Sequence, residues 1–220
     1  MASDGFLYKY FMNNSGKVLH KWLNYFHVYE THFERFRGKA PVMLEIGVSG
    51  GGSLAMWKAY LGEGARIIGV DINPDCKVHE ADGIEIFIGN QSDPRLIEEI
   101  FAKYPEIDIV LDDGSHLMTD LQASFAMMYP RISKEGVYVV EDLQTCYWDE
   151  YGGGLRRDGT FIEVIKGLID ELNAVYSRDA LPVTPFTAST NSINIYDAVV
   201  AFEKRPQGRR QALVTAAMPV

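Results

Sequence analysis

Ile109-Val-Leu-Asp-Asp-Gly-Ser-His116 is an apolar run that stops abruptly at two carboxylates, a glycine and an imidazole. Its short length, β-branched content and turn-forming end predict a buried strand that delivers polar groups at its carboxyl end. Val137-Tyr-Val-Val-Glu-Asp142 repeats the form with a second acidic pair. Two neighbouring parallel strands ending this way would set up to four carboxylates and one histidine around a single crevice, the place where open α/β sheets hold their ligands. Acidic residues also follow strands simply because they cap the next helix. Two pairs and a histidine together make a metal and base site the stronger reading.

Upstream, Val42-Met-Leu-Glu-Ile-Gly-Val-Ser-Gly-Gly-Gly-Ser53 is a strand running into a glycine cluster, followed by a helical pattern over 54–61. Such a turn lets backbone approach a ligand and offers the free N–H groups of a new helix. Its glycines match neither GxGxxG nor GxxxxGK[ST], which argues against nucleoside triphosphate binding. A second strand, Arg66–Asp71, ends in an acid of the kind that accepts ribose hydroxyls in doubly wound sheets. Glu45, inside the first strand, requires a partner if it is buried. After a third strand at 84–88, Gly89-Asn-Gln-Ser-Asp93 leads to Pro94 and an amphipathic helix over 96–104, where Ser92 or Asp93 would serve as an ordinary cap.

At the N-terminus, residues 1–16 are aromatic-rich without a clear period, whereas Leu19, Trp22, Leu23, Phe26, Tyr29, Phe33 and Phe36 recur at three- and four-residue steps. This spacing predicts one amphipathic helix over 17–37, with Tyr25, His27, Glu30 and His32 on its polar side. Downstream, Thr145-Cys-Tyr-Trp148 and Tyr151-Gly-Gly-Gly154 combine aromatic faces suited to sugar rings with a flexible loop, or else cover the sheet edge. A helix is expected over 161–176 and closing strands over 192–196 and 198–202, the last one antiparallel. Phe125, Met127 and Met128 read as core, Cys146 as packing, and the tail from Arg205 as mobile.

A chain of 220 residues with 47% hydrophobic content can bury a full core in one domain. The formal net charge of -9, with no basic run longer than Arg209-Arg210, argues against a nucleic-acid partner. Two distant cysteines without paired-ligand spacing suggest a reducing compartment. No apolar run approaches the ~20 residues of a membrane span, and the N-terminus has no signal-peptide pattern. The expectation is a cytoplasmic, soluble protein with no membrane partner.

The glycine turn with Glu45, the ribose-type Asp71 and the acidic strand end at Asp112 resemble the S-adenosylmethionine-dependent methyltransferases of the Rossmann-like class. LEIGVSGGGS, GVDINP, GNQSD, VLDDGSH and YVVEDLQTCYW, with HKWLNYF and FERFRGK upstream and SINIYDAVVAFEK near the end, are similar to the Mg²⁺-dependent sugar O-methyltransferases typified by the macrocin and mycinamicin enzymes. The resemblance covers roughly residues 20–150. It implies a Rossmann-like, doubly wound α/β fold, mostly parallel with an antiparallel final strand, in a single domain with an N-terminal helical appendage over 1–40. It implies Asp113, Glu141 and Asp142 as metal ligands and His116 as catalytic base. S-adenosyl-L-methionine would lie against Glu45, Gly47, Ser49, Gly51, Ser53, Asp71, Gln91, Ser92 and Asp112.

That assignment is chemically coherent. A sugar hydroxyl is protonated at neutral pH, oxygen ligands suit Mg²⁺, and a histidine, with its ordinary pKa near neutrality, can remove a proton from a metal-oriented hydroxyl. Ser49 stands where many methyltransferases have glycine. The large N-terminal domain of the macrolide enzymes is not seen here, so a smaller acceptor (a free sugar, a small glycoside or a methylated mannoside-type oligosaccharide), or a pocket completed by a second subunit in a homodimer, is expected. A phenolic or catechol-type acceptor and a non-catalytic cofactor-binding scaffold remain alternatives. The 2-His-1-carboxylate triad of a non-haem iron oxygenase is not apparent.

Overall fold

The computed structural model describes residues 4–208 and 210–216. Seven strands form one sheet: β1 (Val42–Ile46), β2 (Arg66–Asp71), β3 (Ile84–Ile88), β4 (Ile109–Asp112), β5 (Val137–Val140), β6 (Thr190–Tyr196) and β7 (Val199–Lys204). Their spatial order is β3-β2-β1-β4-β5-β7-β6. The first five are parallel, whereas β7 runs antiparallel to both β5 and β6. The strand order reverses between β1 and β4, which opens a crevice at their carboxyl ends.

The inner strands are apolar on both faces because helices cover both. Met43, Ile67, Ile109, Leu111, Val137 and Val139 face one core, with α1 (Phe6–Met12), α2 (Phe26–Phe33) and α3 (Gly52–Leu61). Leu44, Ile46, Ile68, Val110, Tyr138 and Val140 face the other, with α4 (Pro94–Lys103), α5 (Met118–Met128) and α6 (Phe161–Leu172). Residues of one strand thus alternate between two cores, the two-residue period of a pleated strand. A short α7 (Pro185–Ser189) leads into β6, and Arg205 and Gln207 bond backbone carbonyls at its end.

The N-terminal reading needs correction. The helix expected over 17–37 is only α2 and a following 3₁₀ turn at Glu34–Phe36, while the aperiodic 1–16 region contains α1. Residues 17–21 form a strap without regular secondary structure, and Trp22 and Leu23, read as helix face, are 55% and 58% exposed. The strap is held out of helix by tertiary bonds. The Val18 carbonyl accepts from the Gly52 N–H at 3.0 Å, and Lys21 reaches into the sheet. Tyr25 and His32, placed on the polar side from sequence, are buried. The tail read as mobile lies partly outside the described residues. No described helix is long and apolar enough to cross a membrane.

Candidate functional site

Register brings the two acidic pairs together. Asp112 on β4 is level with Val140 on β5, and the Glu141 N–H bonds the Asp112 carbonyl at 3.0 Å, so Asp113 and Glu141 leave adjacent strands side by side. Asp142 and His116 then adopt left-handed backbone, with φ of +55° and +58°. Such conformations are uncommon for residues with a Cβ and cluster where a side chain must be aimed. The outcome is a compact group in which Asp113, His116 and Asp142 each offer a ligand atom, all within 4.8 Å of one another. His116 Nε2 lies 3.8 Å from Asp113 Oδ1 and 3.7 Å from Asp142 Oδ2. The two carboxylates supply the oxygen donors that a hard divalent cation takes, and the imidazole stands beside them.

Glu141 takes a deeper place. It accepts from the Tyr29 hydroxyl at 2.6 Å and from Lys21 Nζ at 3.1 Å, and burial, with the Asp113 charge beside it, pushes its carboxyl up to about 8. Asp142 Oδ1 accepts from the Tyr25 hydroxyl at 2.7 Å, which fixes that carboxylate toward His116. Lys21 is buried, yet the charges of Asp113, Glu141 and Glu45 outweigh desolvation and hold its ammonium well above the usual lysine range.

Two cavities flank the end of β1. One, of about 160 Å³, is lined by Ile46, Gly47, Val70, Asp71, Ile72, Gly89, Asn90, Gln91, Gly114, Ser115 and Asp120. The other, of about 220 Å³, is lined by Val18, Leu19, His20, Lys21, Gly47, Val48, Ser49, Gly50, Ser53, Asp113, His116 and Asp142. Gly47 belongs to both walls. It holds φ +93°, and a Cβ there would collide with the Asp113 carbonyl oxygen, so only glycine lets the two strand ends close up. Together the cavities reach the lower end of the ~300–1,000 Å³ typical of small-molecule sites.

Of the residues expected at a cofactor, Gly47, Asp71 and Gln91 line the first cavity, and Ser49 and Ser53 the second. Asp71 Oδ2 accepts from the Val48 and Ser49 N–H groups, and Oδ1 from Asn73; these backbone donors overcome desolvation and hold its carboxyl below the usual range. Ser49, at φ +46°, takes the backbone conformation a glycine would adopt freely.

Four others are not on either wall. Asp112 is fully buried and accepts from Gln91 Nε2, Ser124 Oγ and the Tyr138 hydroxyl, so it anchors Gln91, whose Oε1 takes the Ser115 N–H at 2.8 Å. Burial raises its carboxyl despite those donors. Glu45 lies behind the glycine turn, accepting from Ser53 Oγ at 2.7 Å and pairing with Lys21 at 3.5 Å. Gly51 is covered by the His79 ring. Ser92 turns back on Asn90, and Asp93 caps α4 by accepting from the Arg95 N–H.

The sequence reading did not pick out Asn90, Ser115 and Asp120 in the first cavity, nor Lys21 on the wall of the second and Tyr25 and Tyr29 behind it. The signal for Lys21 and the tyrosines was present in HKWLNYFHVY, but it was absorbed by the apparent helical period. Tyr151 places its ring 6.3 Å from that of His116 and 5.9 Å from that of Trp148, which itself is 45% exposed, so an aromatic wall borders the acidic group.

No protein-family model matches the chain. It is 38% identical over 187 residues to the 8-demethyl-8-α-L-rhamnosyl tetracenomycin-C 2'-O-methyltransferase of Streptomyces olivaceus, covering 80% of this chain and 49% of that protein. It is also 38% identical over 154 residues to the demethylmacrocin O-methyltransferase of Streptomyces fradiae, covering 66% of this chain and 38% of that protein. The chain therefore spans about half or less of the length of these relatives. Among solved structures, MycE, a methyltransferase of the mycinamycin biosynthetic pathway in complex with Mg, SAH and mycinamycin VI, superposes with a TM-score of 0.75 at 31% identity, over 85% of this chain and 51% of that one. A caffeoyl-CoA O-methyltransferase-like protein from Staphylococcus aureus, 12% identical with a TM-score of 0.54, shares the fold alone. The chain is a homologue of the sugar O-methyltransferases, built on the class I methyltransferase fold.

Proposed function

We propose that the protein transfers a methyl group from S-adenosyl-L-methionine to a hydroxyl of a saccharide or glycoside, with a divalent cation such as Mg²⁺ at the acidic group. The observation that carries this reading is that Asp113, His116 and Asp142 open on the same cavity as the glycine turn at Gly47–Gly50. The first cavity, with Asp71, Asn90 and Gln91, suits the nucleoside end of the donor, and Gly47, on the wall of both cavities, stands between that end and the acids. The relatives named as sugar O-methyltransferases and the MycE complex with Mg and SAH support the same donor and metal.

Asp113 and Asp142 would hold the cation from the cavity side, with Glu141 behind them and the Tyr25 hydroxyl fixing Asp142. When bound, such a cation orients neighbouring hydroxyls and lowers their pKa. His116 takes the acceptor's proton, and the two carboxylates within 3.8 Å of Nε2 stabilise the resulting imidazolium. The donor, when bound, would supply the methyl group, and the part of the chain is to align the deprotonated oxygen with it, an alignment that supplies much of the rate. Tyr151 and Trp148 offer apolar faces against which a sugar ring can lie beside His116.

A screen of glycosides and oligosaccharides, with phenols as controls, tests this reading with and without Mg²⁺. Transfer to a sugar hydroxyl that chelation abolishes is the expected result, and His116→Ala is expected to lower kcat about 10²- to 10⁴-fold. Transfer to phenols only, or unchanged turnover in both the chelated enzyme and the alanine variant, would overturn it.

A further inference from the structure

Lys21 occupies a position that methyl transfer as described does not use. Its ammonium is 2.6 Å from Asp113 Oδ2, 3.1 Å from Glu141 Oε2 and 3.5 Å from Glu45 Oε1, with the side chain 3% exposed. Among the described residues it is the one Lys or Arg in salt-bridge contact with these three carboxylates. It links an acid behind the glycine turn to two at the ends of β4 and β5.

The strap that carries Lys21 is itself built into the turn. Val18 accepts from the Gly52 N–H, and a Cβ at Gly50 or Gly52 would strike Val18 or the Lys17 carbonyl. Gly50 and Gly52 therefore make room for the strap, and one of the free N–H groups at the start of α3 is spent on it. The strap is held at this register, and the register delivers the ammonium to the acids.

We propose that Lys21 is a positioning residue: a resident counter-cation whose ammonium bridges Glu45, Asp113 and Glu141 and holds these carboxyls in place before a metal arrives, and that yields part of Asp113 and Glu141 to the metal when it binds. Charge matching supports this. The four carboxyls of Glu45, Asp113, Glu141 and Asp142 outnumber the single ammonium among them, which leaves the group able to take the further positive charge of a divalent cation. Several buried carboxylates without a cation among them would repel one another and pay desolvation without return. The metal part of the inference rests on the function proposed above; the counter-cation part does not.

The test compares wild type, Lys21→Met, Lys21→Arg and the Lys21→Met/Glu141→Gln double variant, each as the full chain. Thermal melting is followed with EDTA and with Mn²⁺, and Mn²⁺ affinity is measured by calorimetry. Metal-free Lys21→Met is expected to melt about 10 °C below wild type. The double variant should recover at least half of that loss, because it also removes a buried carboxyl that Lys21 partnered, and Lys21→Arg should stay near wild type. Mn²⁺ should bind Lys21→Met about tenfold more tightly than wild type and raise its melting point by more.

An unchanged melting point in Lys21→Met, or a loss that Glu141→Gln does not relieve, overturns the counter-cation role. Equal or weaker Mn²⁺ binding by Lys21→Met overturns the competition with metal. If wild type binds no Mn²⁺ while the double variant still recovers, the metal reading of the site has failed and the counter-cation role stands. Should Lys21→Met not fold alone, folding of the double variant satisfies the first criterion, and its failure as well overturns the counter-cation role.

Discussion

Tyr25 shows how much a single hydroxyl can decide. Placed on the polar side of a helix by spacing alone, it is instead buried and donates to Asp142 Oδ1 at 2.7 Å, while that residue's other oxygen lies 3.7 Å from His116 Nε2. The hydroxyl holds a carboxylate that would otherwise rotate toward solvent. Partners of this kind orient metal-binding groups and set their affinity. Tyr25→Phe is expected to weaken Mn²⁺ binding about 10- to 100-fold with the melting point little changed. Calorimetry on the variant would refute the role if affinity matched wild type.

At the scale of elements, α2 is tied to β7 through Glu203, which accepts from Arg35 Nη1 at 2.9 Å and meets His32 Nδ1, whose Nε2 in turn meets the Tyr196 hydroxyl on β6. The His32 contact, ahead of Arg35 and against partial desolvation, holds the Glu203 carboxyl at about 2, below its ordinary 4.5. A carboxyl depressed on folding stabilises the fold above its unfolded pKa, and that stability disappears as pH falls through the folded value. The contribution is thus complete above about pH 4.5 and lost on acidification toward pH 2. Because the group is only partly shielded, roughly 1–2 kcal/mol is expected rather than the full linkage value. Urea unfolding of wild type and Glu203→Gln should differ by that amount at pH 6 and converge near pH 2. A difference independent of pH would show that the pair acts only through packing.

On the scale of the molecule, one sheet separates two cores. Trp57 is fully buried in the core with α1–α3, and Phe202 in the core with α4–α6. A sheet paired continuously from β3 to β6 couples both cores in one cooperative unit. Trp57→Phe and Phe202→Leu are each expected to cost about 1–2 kcal/mol, with costs that add within about 0.5 kcal/mol and a single unfolding transition. Biphasic denaturation of either variant would divide the molecule into separately folding halves.

Strand and helix identity followed from local chemistry. Val137–Val140 and Ile109–Asp112 could hardly be anything but buried strands, and the acids after each were forced to one sheet end by parallel pairing. Asp113, His116 and Asp142 could therefore be grouped from the sequence, as could Gly47 at the turn. The path of residues 17–24 could not. Leu19, Trp22 and Leu23 have helical spacing, but a long-range backbone bond to Gly52 and an ammonium surrounded by three distant carboxylates outweigh weak local propensity. The same reason hides Asp112, whose role as the buried anchor of Gln91 depends on Ser124 and Tyr138 arriving from other elements. Sequence by itself determined the strands and which sheet end carries the acids, because periodicity and turn chemistry are local; only the tertiary structure decided the N-terminal helices, which carboxylate faces the cavity and which is bound to Lys21, because those choices are made by partners up to 120 residues away in the chain.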